Sequence, residues 1–494
     1  MDKRIDQNPD SEIPLSFGVL ASTGEPLPCV DAASTHAMQE RENASVTERG
    51  IVESRAVDDR LFALNSEITD PNDLSMTGWG VIFAPGCDAA VKDALGCVLD
   101  RRACEAGTLY KVFEGRDAPG KGESATSWLE RQNVSLNVVD PFGGVPFYLL
   151  IVGSPDEISY EFQYTLDIFW GVGRLYFPET EDYRRYARSV LAYEDADKVP
   201  NRRQIALFAP EHDFDRATQL FGARVARALA DPKANYGPIG QARKFGLRKF
   251  IGGCGDGLHG PASHETLTKI LSGEDGGGLP AILLTGSHGM EFPDDETQKR
   301  AQGALVCQDW GGYGKIERTH WFEAADLPEA ANLHGLIHFA FACYSAGYPR
   351  EDNFARSEAS PRKIASEARL ARLPQAMLAH PAGGALATIG HIDRAWAYSF
   401  LSARNRGQVQ GFRDVLARLM GGMRIGYATD QFNTRWSALS ADLSDTIADY
   451  RDDPARYYLA LVNRWIARDD ARNYIVVGDP AVRLRVDSMP LPTA

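Results

Sequence analysis

Two short motifs close apolar runs in this chain. AILLTGSHG (281–289) ends on His288–Gly289, and LIHFAFAC (336–343) ends on Ala342–Cys343. A free thiol with a pKa of about 8.5 is only a few per cent thiolate at pH 7, so a nucleophilic cysteine needs a base beside it. His288 can take the thiol proton and later return it to a leaving amine. Gly289 leaves room for a substrate carbonyl beside its N–H, and that N–H with the Cys343 N–H can form an oxyanion hole. The small residues Ala342, Ser345, Ala346 and Gly347 suit a tight turn that a substrate must approach.

These motifs need neighbouring strands to bring them together. Strand-like runs alternate with helix-like ones: TGWGVIFAP (77–85), then 88–107; LYKVFEG (109–115), then 124–132; VPFYLLIVGS (145–154). An aromatic stretch at 160–177 adds a strand near GVGRLYF, and 181–197 reads as a helical connector. The alternation restarts with RQIALFAP (203–210) and a helix over 215–231, FGLRKFIGG (245–253) and a helix over 264–273, and then the two motif strands. GALATIGHI (384–392), helices near 407–420, 433–448 and 454–468, and a last strand NYIVVGDPAVRLRV (473–486) complete the chain. This pattern predicts an α/β fold: a mostly parallel sheet flanked by helices, in two side-by-side α/β subdomains. In such a sheet, sites form at the carboxyl ends of the strands, where both motifs fall.

The chain has 494 residues and a formal charge of −14, which argues against a nucleic-acid or anionic-membrane binder. Residues 1–75 hold fifteen acids and six Lys+Arg, a net −9, and read as an acidic, loosely ordered extension that packs on the body in short pieces. The expected divisions are this extension (1–75), a non-catalytic α/β subdomain (76–198) and a catalytic subdomain (199–494). No apolar run is long enough to span a bilayer, and no secretory leader is visible at the N-terminus. Seven cysteines without CxxC spacing fit reduced thiols, so the expected location is the cytoplasm.

An apolar strand ending in His-Gly, followed about fifty residues later by one ending in Ala-Cys, resembles the signature of caspase-fold cysteine peptidases: caspases, legumains, gingipains and the CHAT-type bacterial peptidases. VVGDPAVRLRV is similar to the last strand of gingipain-like peptidases, and GGALATIGHIDRAW (383–396) to the strand and loop after their nucleophile. The resemblance covers roughly Thr77 to the C-terminus. It implies a cysteine endopeptidase that works through a thioester acyl-enzyme without a cofactor. Cys343 would be the nucleophile, His288 the acid/base and Gly289 an oxyanion donor. The caspase pentapeptide is absent, since this chain reads FACYSAG. Glu291 and Asp309 are the candidates for a group that orients His288.

The resemblance also implies a specificity pocket beside the sheet edge. An acid there would select a basic residue before the cut bond. Asp393 is the first candidate, with Trp396 as a wall, and Glu211 and Asp213 are the alternatives. The expected partners are a protein or peptide substrate and a regulatory protein, in a stress or defence response.

Two other readings compete. One is a catalytically silent module of the same fold that binds partners. The other is a nucleotide-dependent protein using Lys121 in GRDAPGKG (115–122), which lacks the Ser/Thr of a phosphate loop. His334 and His338 lie four apart on an expected strand with no third ligand, so no metal site is expected.

Overall fold

The computed structural model describes residues 15–28, 30, 64, 66–253, 255, 257–331, 333–357, 360–402 and 407–492. Most of the acidic extension, together with Cys29 and Cys254, lies outside the described residues.

Ten strands form one sheet. In spatial order they are Tyr110–Phe113, Trp79–Phe83, Tyr148–Val152, Gly171–Leu175, Tyr474–Gly478, Ala387–His391, Ile337–Phe341, Pro280–Gly286, Arg202–Ala209 and Gly246–Ile251. Seven of the ten are buried at every residue, as strands covered by helices on each side must be, even where they carry a polar side chain such as Arg174, Thr285 or His338. Every pairing is parallel except one: Ala387–His391 runs antiparallel to Tyr474–Gly478. The five strands on one side of that seam therefore point opposite to the five on the other. Carboxyl-end loops of the first half open at one edge of the sheet, and those of the second half at the other. The Gly115–Gly122 loop, which follows Tyr110–Phe113, thus lies at the edge away from Cys343.

The last strand is shorter than the sequence pattern suggests. It stops at Gly478, because Asp479 turns its carboxylate inward and Pro480 has no N–H to continue a ladder. Asp479 accepts from Trp79 Nε1 at 2.9 Å and from Arg102 Nε at 2.8 Å, with both charges fully buried. The Gly-Asp-Pro segment therefore ties the C-terminus to the helix Ala89–Ala106 of the first half. The aromatic run resolves into a helix, Tyr160–Asp167, capped by Ser159, and then the expected strand Gly171–Leu175. Two long helices, Asp430–Asp452 and Pro454–Arg472, form a hairpin. Asp453 caps the second, and Pro454 sits at its first turn, where a missing N–H costs nothing.

Candidate active site

Strand register sets the site. Phe341 pairs with Gly286 in the parallel ladder between the two motif strands. Cys343 and His288 each lie two residues beyond that pair, so both leave the sheet at the same level. Ser287 N–H donates to the Phe341 carbonyl at 3.0 Å and holds the two exits together. The chain then turns sharply at Tyr344, a non-glycine residue at φ +57°. The Tyr344 N–H is taken by the Asp393 carbonyl at 3.0 Å.

Gly289 is required by the approach of these two loops. A Cβ there would stand 1.8 Å from the Cys343 carbonyl oxygen. Because the loops meet so closely, the N–H groups of Gly289 and Cys343 point at a single acceptor. That acceptor is the carbonyl oxygen of Phe17, at 3.0 Å from Gly289 N and 3.3 Å from Cys343 N.

His288 is 2% exposed, and its Nε2 lies 2.7 Å from Asp215 Oδ2. Its Nδ1 is buried without a hydrogen-bond partner among the described residues. Burial opposes the charged form of Asp215. The His288 charge and the contacts of His212, His288 and Thr218 outweigh burial and hold the carboxyl well below the usual range. The same carboxylate caps the helix Arg216–Phe221 through Ala217 and Thr218 N–H, which fixes its position.

The Cys343 sulfur is fully buried. It accepts from Ala395 N–H at 3.1 Å and sits 3.7 Å from the Ser16 hydroxyl. Burial pushes its thiol up to about 12, against the lowering contacts of Ser16 and Ala395. The other described cysteines (Cys87, Cys97, Cys104 and Cys307) are also free thiols.

The sequence-derived candidates separate into two groups. His288, Gly289 and Cys343 come together. The proposed orienting acids do not: Glu291 pairs with Arg362, and Asp309 accepts from the His264 N–H at 2.7 Å. Asp393 is buried, its carboxylate held by Asn353 Nδ2 at 2.5 Å and by Arg394 N–H at 2.8 Å. Burial and the nearby Asp352 charge raise it. Glu211 pairs with Arg227 at 2.5 Å, and Asp213 is exposed. The Trp396 ring packs on Phe354 with centroids 5.3 Å apart, and its main chain bridges Ser16.

Elsewhere, Gly120 N–H in the glycine loop is taken by Glu123 Oε2 at 2.6 Å, which puts a negative charge where a phosphate would have to lie. His334 Nε2 contacts the Ser189 carbonyl and His338 Nε2 the Thr285 hydroxyl. Among the described residues, no group of three or more His, Cys, Asp or Glu is placed to hold a metal. Among them, too, no helix is long and apolar enough to cross a membrane.

Reading the sequence alone misses Asp215 and the Leu15–Gly18 segment. Asp215 follows the strand Arg202–Ala209, next to the His288 strand, but a helix cap explains an Asp there equally well. LSFGV (15–19) alternates apolar and small residues, a weak strand signal inside an acidic stretch.

The sequence profile of peptidase family C25 matches residues 145–485. No curated protein matches the chain. A solved structure described as that of a protease superposes with a TM-score of 0.48 at 12% identity, covering 83% of this chain and 80% of that one. The Arg-specific cysteine proteinase gingipain R gives 0.45 at 14% identity, covering 83% and 79%. A complex of the pro- and mature domains of RgpB from Porphyromonas gingivalis gives 0.45 at 13%, covering 83% and 80%.

Proposed function

The chain belongs to peptidase family C25 and is a cysteine-type peptidase; from that premise we propose that Cys343 is its nucleophile, His288 its acid/base, and Asp215 the residue that positions His288. One observation carries this reading: the N–H groups of Gly289 and Cys343 converge on the Phe17 carbonyl oxygen, while Gly18 passes close to the Cys343 sulfur and the Phe17 ring packs on His288. Donors fixed in that way bind an oxyanion better than a ground-state carbonyl, because the charge grows where they already point.

In the proposed reaction, the Cys343 thiol gives its proton to His288 as sulfur attacks the substrate carbonyl. Gly289 and Cys343 N–H groups hold the resulting oxyanion. Asp215 at Nε2 keeps Nδ1 as the nitrogen left to serve the cleft and stabilises the imidazolium that forms. The C–N bond breaks, His288 protonates the leaving amine, and water then hydrolyses the thioester. No step requires a cofactor.

A basic residue before the cut bond, as expected from Asp393, Glu211 and Asp213, loses its support. Asp393 and Glu211 are already engaged by other groups, and Asp213 is on the surface. A thiol covered by the chain's own segment is what a regulated peptidase in a stress or defence response would need.

The test is hydrolysis of a positional library of fluorogenic peptides by wild type and Cys343→Ala under reducing conditions. Turnover that vanishes in the variant is expected. Turnover that survives it would remove Cys343 from the reaction.

A further inference from the structure

We propose that the chain's own Leu15–Gly18 segment lies in the cleft as a substrate, that the site takes an aromatic residue immediately before the cut bond, and that the enzyme cleaves itself between Phe17 and Gly18. The inference rests on the reading of Cys343 as nucleophile.

Backbone contacts define the register. Phe17 N–H donates to the Ala395 carbonyl at 2.8 Å, and Ala397 N–H donates to the Leu15 carbonyl at 3.0 Å. Ser16 bridges Trp396 antiparallel between them. The segment is thus an added strand on the loop that follows Ala387–His391, a common way of binding extended peptides. Its next carbonyl, that of Phe17, is the one held by Gly289 and Cys343 N–H. Gly18 then passes the sulfur so closely that a Cβ there would lie 2.8 Å from Cys343 Sγ. Beyond it, Gly18–Leu20 pairs in parallel with Gly289–Glu291. Val19 and Ala21 pack with Met290, Phe292 and Trp310. The chain on both sides of the Phe17–Gly18 bond is therefore anchored, and the bond is presented to the thiol.

The Phe17 side chain reports what the pocket accepts. It is completely buried, with ring centroids 4.8 Å from Phe341, 5.8 Å from Phe400, 5.9 Å from His288 and 6.1 Å from Phe221. Edge-on contacts with several rings favour another aromatic ring. A guanidinium or ammonium in that place would lose its water without meeting a carboxylate that is free to pair with it.

The step balances with water as the only co-reactant. Cys343 sulfur bonds to the Phe17 carbonyl carbon, its proton moves to His288, and the Phe17–Gly18 C–N bond breaks. The Gly18 amine leaves with the proton from His288. Water then releases residues 1–17 with a carboxylate at Phe17 and restores the thiol.

Intact mass and N-terminal sequencing of the full chain test the proposal. Wild type, as purified or on incubation with reductant, should lose residues 1–17 and begin at Gly18, at a rate independent of protein concentration. Cys343→Ala should stay whole, Phe17→Tyr should still be cut, and Phe17→Arg should be cut about tenfold more slowly or worse. On separate fluorogenic peptides, Phe before the bond should be preferred over Arg by about tenfold or more. A wild-type chain that stays whole while it hydrolyses peptides, a cut at another bond, or a preference for Arg would overturn the proposal. Phe17→Asp separates this failure from that of the peptidase reading, since a carboxylate cannot stay among those rings. If that variant exposes a Cys343 that iodoacetamide labels, yet wild type is never cut, only self-cleavage is lost. If no variant labels and no peptide is hydrolysed, both readings fall.

Discussion

Asp215 Oδ2 stands 2.7 Å from His288 Nε2, which leaves Nδ1 as the ring nitrogen without a hydrogen-bond partner among the described residues. The carboxylate is itself held by the N–H groups of Ala217 and Thr218. In the proposed reaction, the acid that orients His288 and the helix cap are thus one side chain.

Asp215→Asn should keep the cap and lose the charge. The expected result is a fall in kcat of about two to four orders of magnitude, with little change in Tm. Asp215→Ala should lose activity similarly and also about 1 kcal/mol of stability, the usual cost of a missing cap. Because Asp215 stays ionised well below the usual carboxylate range, the acid limb of the kcat/KM profile should not report it. That limb should disappear in no Asp215 variant that retains activity.

Gly289→Ala tests the convergence of the two N–H groups. The added methyl would meet the Cys343 carbonyl oxygen at 1.8 Å, so one loop must move. Loss of a single oxyanion donor costs about a hundredfold or more in kcat. Assays of kcat and KM should show the loss in kcat; a normal kcat would mean the two loops need not touch.

The covered thiol carries a pH dependence. Burial raises Cys343 to about 12, above the value of about 8.5 for an open thiol. The closed cleft binds the proton more tightly than the open one, so its advantage is complete below the open thiol's pKa and is lost as pH rises from there toward about 12. Iodoacetamide labelling of intact Cys343 in Phe17→Arg should be faster at pH 7 than in uncut wild type. The wild-type rate should climb more steeply with pH. Equal rates across the range would show that the segment does not cover the sulfur.

Asp479→Ala leaves Arg102 buried without its fully buried partner. Glu194 and Glu105 still pair with the guanidinium, so the loss should stay below the roughly 3–5 kcal/mol of a buried charge left alone, yet the lost pair and the orphaned Trp79 Nε1 should still lower the denaturant midpoint. An unchanged midpoint would mean that the Gly-Asp-Pro segment does not bind the two halves together.

Much of this arrangement was legible in the chain. His288 and Cys343 were marked by continuous apolar strands that end in small residues, a pattern that depends only on burial and on the need for access. The strand alternation likewise predicts the mostly parallel sheet. Other features depended on where side chains turn. Nothing in HIDRAW says that Asp393 faces Asn353 and the Arg394 main chain instead of a substrate. Nothing in EHDFDRAT separates Asp215 from Asp213, because the choice is made by the position of a helix start relative to a neighbouring strand. The Leu15–Gly18 segment meets its catalytic-site neighbours across 271 to 382 positions of chain, and its short alternating pattern is diluted by the acids around it.

In the proposed reaction, Cys343, activated by His288, attacks a carbonyl seated on the Gly289 and Cys343 N–H groups. The most direct measurement is mass spectrometry of the full chain after reaction with an acyloxymethyl ketone carrying a Phe residue at the reactive end. One adduct is expected, on Cys343 alone, formed rapidly in Phe17→Asp and lost in His288→Ala. An adduct on another cysteine, or equal labelling of Cys343 with and without His288, would contradict it.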